Sequence, residues 1–155
     1  MLHLPFAAAS FDIVLSMFTS FGYFASAADD RRVLREVHRI LLPGGTFVLD
    51  VFNAERVQRD LVPLTQRRAG RFEVFERRRV DPVRGVVIKE IELTAGSTTH
   101  RYEEIVRMWS RPMLEEALRA ATFGGLRAYG DYDGSGFDPH ASPRLILRAR
   151  ARDKA

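Results

Sequence analysis

Two short runs near the start of the chain are apolar without alternating cleanly. They are Phe11-Asp-Ile-Val-Leu-Ser-Met17 and Thr46-Phe-Val-Leu-Asp-Val51. Runs of this kind suit strands buried on both faces, as in a parallel sheet. Between them, Val33, Leu34, Val37, Ile40 and Leu41 recur at helical spacing, with Asp29 or Asp30 as the capping candidate. Thr19 to Ala28, rich in small residues and aromatics, reads as a loop. Pro43-Gly44-Gly45 predicts the turn that stops the helix, because Pro fixes φ and Gly tolerates positive φ. Strand, helix, turn and strand in this order form a βαβ unit with a right-handed crossover.

The pattern changes after residue 70. Segments around Arg71 to Val80, Gly85 to Thr94 and Thr99 to Trp109 mix polar and apolar positions. Asp81-Pro82 and Ala95-Gly96-Ser97 join them, which predicts an antiparallel meander with one solvated face. Ser110 is a cap for a further helix, with Pro112 in its first turn. Its predicted buried stripe is Met113, Leu114, Ala117, Leu118 and Ala121, and Gly124-Gly125 is the predicted stop. Leu126 to Gly130 and Arg144 to Arg150 read as closing strands around a polar loop, Asp131 to Ser142. The chain is therefore expected to be one α/β domain over 1–155. Residues 1–53 form the βαβ portion, 70–109 the meander, and 110–150 the last helix and strand pair; the tail after Ala151 is expected to fray.

Composition narrows the functional classes. A chain of 155 residues can bury one real core, and its longest apolar runs are too short to cross a bilayer, so no membrane partner is expected. With Cys 0, disulfides, thiolate nucleophiles and Cys-based metal sites are excluded, no metal-ligand spacing is present, and a reducing cytoplasm fits. The net charge of +4 comes almost entirely from Arg, since Lys stands only at Lys89 and Lys154. Basic residues alternate with acids around Glu73 to Asp81, and the aromatics lie in apolar runs, so no nucleic acid partner is expected. His38, inside the helix, reads as a surface or helix-terminal residue; His3 and His140 suggest nothing by themselves.

Three stretches together resemble a known family. They are Leu4-Pro5-Phe6 with Phe11-Asp-Ile-Val-Leu-Ser-Met-Phe-Thr-Ser-Phe-Gly-Tyr23, then Val33 to the Leu-Pro-Gly-Gly ending at Gly45, and Phe47-Val-Leu-Asp50. This looks like the region from the end of the third strand through the fifth strand of a class I S-adenosylmethionine-dependent methyltransferase. The later Tyr129-Gly-Asp-Tyr-Asp-Gly-Ser135 is similar to the loop before the last strand in small-molecule members. The resemblance implies a partial Rossmann-like sheet, parallel but for a C-terminal antiparallel strand, with the meander as an insertion. It implies methyl transfer from S-adenosylmethionine to a small-molecule acceptor.

By the same resemblance, Ser16, Met17, Phe18 and Ser20 line the cofactor, and Met1 falls in the adenine pocket. Thr19, Ser20 and Tyr23 sit near the transferable methyl. Tyr23, Asp131 and Asp133 are the candidate catalytic residues. Phe18, Phe21 and Phe24 are alternatively core aromatics capping the sheet. The cluster of Tyr129, Asp131, Tyr132 and Asp133 either binds an amine or orients a hydroxyl acceptor, or is a stabilised turn. Asn53 stands where open α/β sheets bind ligands, or simply in a turn.

The family's Gly-rich turn after the first strand, and the acidic residue ending the second, have no counterpart here; both are expected upstream of Met1. The strand at residues 11–17 should then lie at a sheet edge with unpaired N–H and C=O groups. A homodimer through that edge is the expected assembly, and a non-catalytic module that pairs this way is the alternative function.

Overall fold

The computed structural model describes residues 2–152. Its first sheet contains β1 (Phe11–Ser16), β2 (Leu41–Phe52), β7 (Phe123–Tyr129) and β8 (Arg144–Ala151), in the order β1-β2-β8-β7. β1 runs parallel to β2, whereas β8 is antiparallel to both β2 and β7. The βαβ unit and the antiparallel closure are thus as expected. Among the described residues β1 is the outer strand and is hydrogen-bonded on one side only.

Helix α1 (Ala27–Ile40) crosses from β1 to β2. Its cap is Ser26, not Asp29 or Asp30: the Ser26 hydroxyl accepts the Asp29 N–H at 3.1 Å and donates to the Asp29 carboxylate at 2.8 Å. Leu34, Val37 and Ile40 face the core as the helical stripe predicts. β2 starts immediately at Leu41, earlier than the sequence suggests. Phe11 pairs with Leu41 but Ile13 with Thr46, so Pro43-Gly44-Gly45 bulges out of the strand. Gly44 takes φ 76, and a Cβ on Gly45 would meet the Leu42 carbonyl oxygen at 2.8 Å.

The second sheet is β3 (Leu64–Ala69), β4 (Phe72–Asp81), β5 (Val86–Ala95) and β6 (Thr98–Arg107), antiparallel throughout. β3 and the short helix α2 (Ala54–Asp60) are additions to the sequence reading. The polar string Leu-Thr-Gln-Arg-Arg-Ala gives β3 no apolar rhythm. Buried Asn53 caps α2, its side-chain oxygen accepting from Glu55 and Arg56 N–H at 3.2 and 3.4 Å. Ala54, Val87 and Met108 make a small core joining α2 to this sheet.

The main core lies on one face of the first sheet, where Phe47, Leu49, Leu145 and Leu147 meet Leu34 of α1 and Leu114 and Leu118 of α3 (Arg111–Ala120). Three expectations need correction. α3 stops at Ala120, and Gly124 and Gly125 belong to β7; Thr122, at φ 67, makes the left-handed turn instead. Met113 is exposed rather than on the buried stripe. His38 is buried: Nε2 donates to the Arg152 carbonyl oxygen at 3.0 Å, and the ring stands edge-on to Phe123. That geometry makes it a tie between α1 and the chain after β8.

Candidate functional site

At the C-terminal ends of β1 and β2, two adjacent residues adopt the left-handed region without being glycine. Phe18 has φ 57 and Thr19 φ 58. Each such residue costs on the order of 1–2 kcal/mol, so the surroundings must hold them. They do. The Phe18 N–H donates to Asp50 Oδ2 at 2.7 Å, and the Thr19 N–H donates to the Asp50 carbonyl oxygen at 3.0 Å. Arg144 donates through Nε to Asp50 Oδ1 and through Nη2 to Thr19 Oγ1 at 3.2 Å. Tyr132 completes the set, its hydroxyl donating to Asp50 Oδ2 at 2.7 Å.

Asp50 is wholly buried, so its charge requires these donors. The hydrogen bond to the Asp50 carboxylate, seconded by partial desolvation, raises the Tyr132 phenol above its ordinary range. Around this hub, the turn presents the Phe18 ring, 76% exposed, edge-on to Tyr132. The hydroxyls of Ser16 and Ser20 are 3.1 Å apart. Ser16, Met17, Phe18 and Ser20 are therefore brought together as one surface at the end of β1.

Solved structures show what this arrangement resembles. An S-adenosylmethionine-dependent methyltransferase from Clostridium acetobutylicum superposes with a TM-score of 0.82 at 15% identity, over 98% of this chain and 62% of that one. The fold is that of a class I methyltransferase. The CcbJ methyltransferase from Streptomyces caelestis gives a TM-score of 0.81 at 18% identity, over 98% and 61% of the two chains. CalS10, an amino pentose methyltransferase from Micromonospora echinaspora with S-adenosylmethionine bound, gives 0.65 at 17%, over 97% and 62%. Residues 1–49 match the methyltransferase domain family. No curated protein matches the sequence. The chain thus spans about three fifths of the length of these methyltransferases.

The other sequence candidates fall at separate places on the methyltransferase fold. Met1 lies outside the described residues. Tyr23 lines an open groove of about 470 Å³ against the second sheet, with Phe24, Arg84, Val86, Ile105 and Arg107. Partial burial, and then the Glu104 carboxylate, push its phenol above the usual range, while Lys89 opposes them.

Asp131 and Asp133 hold their own loop. Asp131 Oδ1 accepts the Tyr132 N–H, and Asp133 Oδ1 accepts the Ser135 N–H, each at 2.8 Å. The Ser135 hydrogen bonds keep the Asp133 carboxyl below its ordinary range. The turn reading of this loop therefore describes both carboxylates, while Tyr132 is the residue that points to Asp50. Among the aromatics, Phe21 is buried against Trp109, Phe24 is half-buried and Phe18 is exposed. Asn53 caps α2 and donates to the Pro139 and Ser142 carbonyl oxygens, each at 2.9 Å, so its polar atoms are engaged in structure.

Asp50 and Arg144 went without a role in the sequence reading. The available signal was a carboxylate inside an apolar strand, Phe47-Val-Leu-Asp50-Val-Phe52, which demands a partner charge. Among the described residues no group of His, Asp and Glu is arranged to hold a metal ion. No helix among them is long and apolar enough to cross a membrane.

Proposed function

We propose that this chain supplies one wall of a site for S-adenosylmethionine-dependent methyl transfer to a small-molecule acceptor. The observation that carries this reading is the Met17–Ser20 turn, held in a costly conformation by Asp50 at the ends of parallel strands, where open α/β sheets take ligands. The residues present fit one side of the donor. Phe18 offers an exposed aromatic face suited to a sulfonium, worth on the order of 1 kcal/mol. Ser16 and Ser20 offer hydroxyls to polar groups beside it.

Bound S-adenosylmethionine supplies an electrophilic methyl group. This chain's contribution is orientation and exclusion of water. This reading assigns the orienting of an acceptor, or the taking of its proton, to Tyr23 in its separate groove and to Asp131 and Asp133 in the loop that carries Tyr132. CalS10 and the sugar N-methyltransferase KedS8 from Streptoalloteichus carry names that point to sugar acceptors, and a polar small molecule is consistent with the Tyr23 groove.

A wall by itself is part of a cofactor site, because among the described residues the Gly-rich turn that follows the family's first strand and holds the methionine end has no counterpart. Calorimetric titration of S-adenosylmethionine and S-adenosylhomocysteine into this chain tests the reading. Weak binding, with a Kd above a millimolar, that is further lost in Phe18→Ala is expected. Binding unaffected by substitution at Phe18, Ser16 and Ser20 would count against the site.

A homodimer through the edge of β1 is the second reading, supported by the unpaired side of that strand. Light scattering after size exclusion should show a dimer that Val14→Pro disrupts. A monomer that resists concentration would dismiss it.

A further inference from the structure

Residues 21–25, between the Met17–Ser20 turn and the Ser26 cap of α1, belong to neither helix nor strand, so their backbone groups need partners from elsewhere. Arg107, the last residue of β6, meets them at three places. Its N–H donates to the Gly22 carbonyl oxygen at 2.8 Å. Its Nη2 donates to the Ala25 carbonyl oxygen at 3.2 Å, with that of Phe24 at 3.5 Å. The other edge of the guanidinium is anchored: Nε donates to Asp30 Oδ2 at 3.0 Å, and Trp109 Nε1 reaches the same oxygen at 3.3 Å. Asp30 is wholly buried and the Arg107 side chain is only 16% exposed, so the fork is held in one orientation. Gly22 is matched to the contact. It takes φ 96, and a Cβ there would meet the Arg107 carbonyl oxygen at 3.1 Å.

Tyr23 lies between these contacts. Gly22 before it and Phe24 and Ala25 after it are tied to Arg107, which fixes the Tyr23 backbone against the second sheet, whose Val86 and Ile105 line the same groove. The phenol is then partly buried and within the field of Glu104, with Lys89, the partner of Glu104 across β5 and β6, opposing it. We propose that Arg107 is a positioning residue for the acceptor: its strap across Gly22–Ala25, anchored on Asp30, sets where the Tyr23 hydroxyl stands. This rests on the assignment of an acceptor role to Tyr23 made above. A Lys ammonium is a single point and cannot span Asp30 on one edge and the carbonyls on the other, which is why the position needs the guanidinium.

The test uses the whole chain and Arg107→Lys, which keeps a positive charge beside Asp30. Nitration by tetranitromethane in mildly alkaline buffer, read by peptide mass spectrometry, compares Tyr23 with Tyr132, which Asp50 holds elsewhere. The ratio of the Tyr23 rate to the Tyr132 rate should rise at least about threefold in the variant, because burial and Glu104 no longer hold back the Tyr23 phenolate. A general loosening of the fold would speed both tyrosines and leave the ratio near its starting value. That result, or an unchanged Tyr23 rate, would overturn the proposal. Because a disturbed buried ion pair can unfold a protein, the double variant Asp30→Asn/Arg107→Gln, which leaves no buried charge, is made in parallel and should show the same rise. Affinity for S-adenosylhomocysteine should be unchanged in both variants, since Asp50 and not Arg107 holds the Met17–Ser20 turn. A fall in that affinity with the nitration ratio unchanged would move the role of Arg107 to the turn and defeat the proposal. A wild-type chain that binds no S-adenosylhomocysteine at all would instead defeat the methyl-transfer reading, and the acceptor role with it, while the nitration ratio still reports the strap.

Discussion

Tyr132 donates its hydroxyl proton to Asp50 across 2.7 Å, and so ties the loop before the last strand to the floor of the Met17–Ser20 turn. The two residues are unequal partners. Asp50 is buried and holds three donors, whereas Tyr132 is 54% exposed and has water as an alternative. Asp50→Ala leaves Arg144 half-buried beside an uncompensated gap, at a cost of about 3–5 kcal/mol. Tyr132→Phe removes one hydrogen bond and costs about 1 kcal/mol. Urea titrations of both variants check this order; equal losses would mean that Asp50 is not the hub.

Phe18 combines a left-handed backbone with an exposed ring, so its side chain contributes little to folding. Replacing it by Gly relieves the backbone strain. Phe18→Gly is expected to raise stability by about 1 kcal/mol while weakening S-adenosylhomocysteine binding. A rise in melting temperature with unchanged ligand affinity would mean that the strain serves something other than the ligand.

Much of this was legible in the sequence. The apolar runs found β1 and β2, but β1 exposes Ile13 and Leu15 instead of being buried on both faces, and Pro43-Gly44-Gly45 bulges within β2 instead of stopping α1, which already ends at Ile40. Ser16, Met17, Phe18 and Ser20 are adjacent in the chain, so finding the strand end finds all four. What was hidden is what depends on distant partners. Asp50 and Arg144 lie 94 positions apart, and nothing local joins them. β3 has no apolar alternation because its partners, not its own pattern, hold it: Thr65 donates to Glu76 at 2.9 Å, and Arg78 and Lys89 pair with the same carboxylate. His38 looked like surface because its acceptor, the Arg152 carbonyl, comes from the far end of the chain.

Glu36 gives a defined acid limb. Hydrogen bonds from Arg39, and then from the Leu4 N–H, lower its carboxyl from 4.5 to about 2. The folded pKa is depressed, so the stability it confers is complete above about pH 4.5 and is lost as the pH falls through about 2. Glu36→Gln should therefore lower the urea midpoint at pH 6 and leave it nearly unchanged at pH 2. A constant difference across this range would show that the packing of Leu4 to Phe6, not the charge, matters.

Asp30 has the opposite sign and a built-in reporter. It is wholly buried and accepts from Arg107 Nε at 3.0 Å and Trp109 Nε1 at 3.3 Å, with its other oxygen unpartnered. Burial pushes its carboxyl above the ordinary 3.8, and the hydrogen bonds from Arg107 and Trp109 only partly offset that. A raised folded pKa favours the protonated form, so this contribution to stability is present below the unfolded value and is lost as the pH rises through the folded one. Trp109 is the one Trp in the chain, so its emission reads the event directly. The emission should titrate with a midpoint above 3.8 and become pH-independent in Asp30→Asn. A titration that persists in Asp30→Asn would assign the change to another group and remove Asp30 from the account.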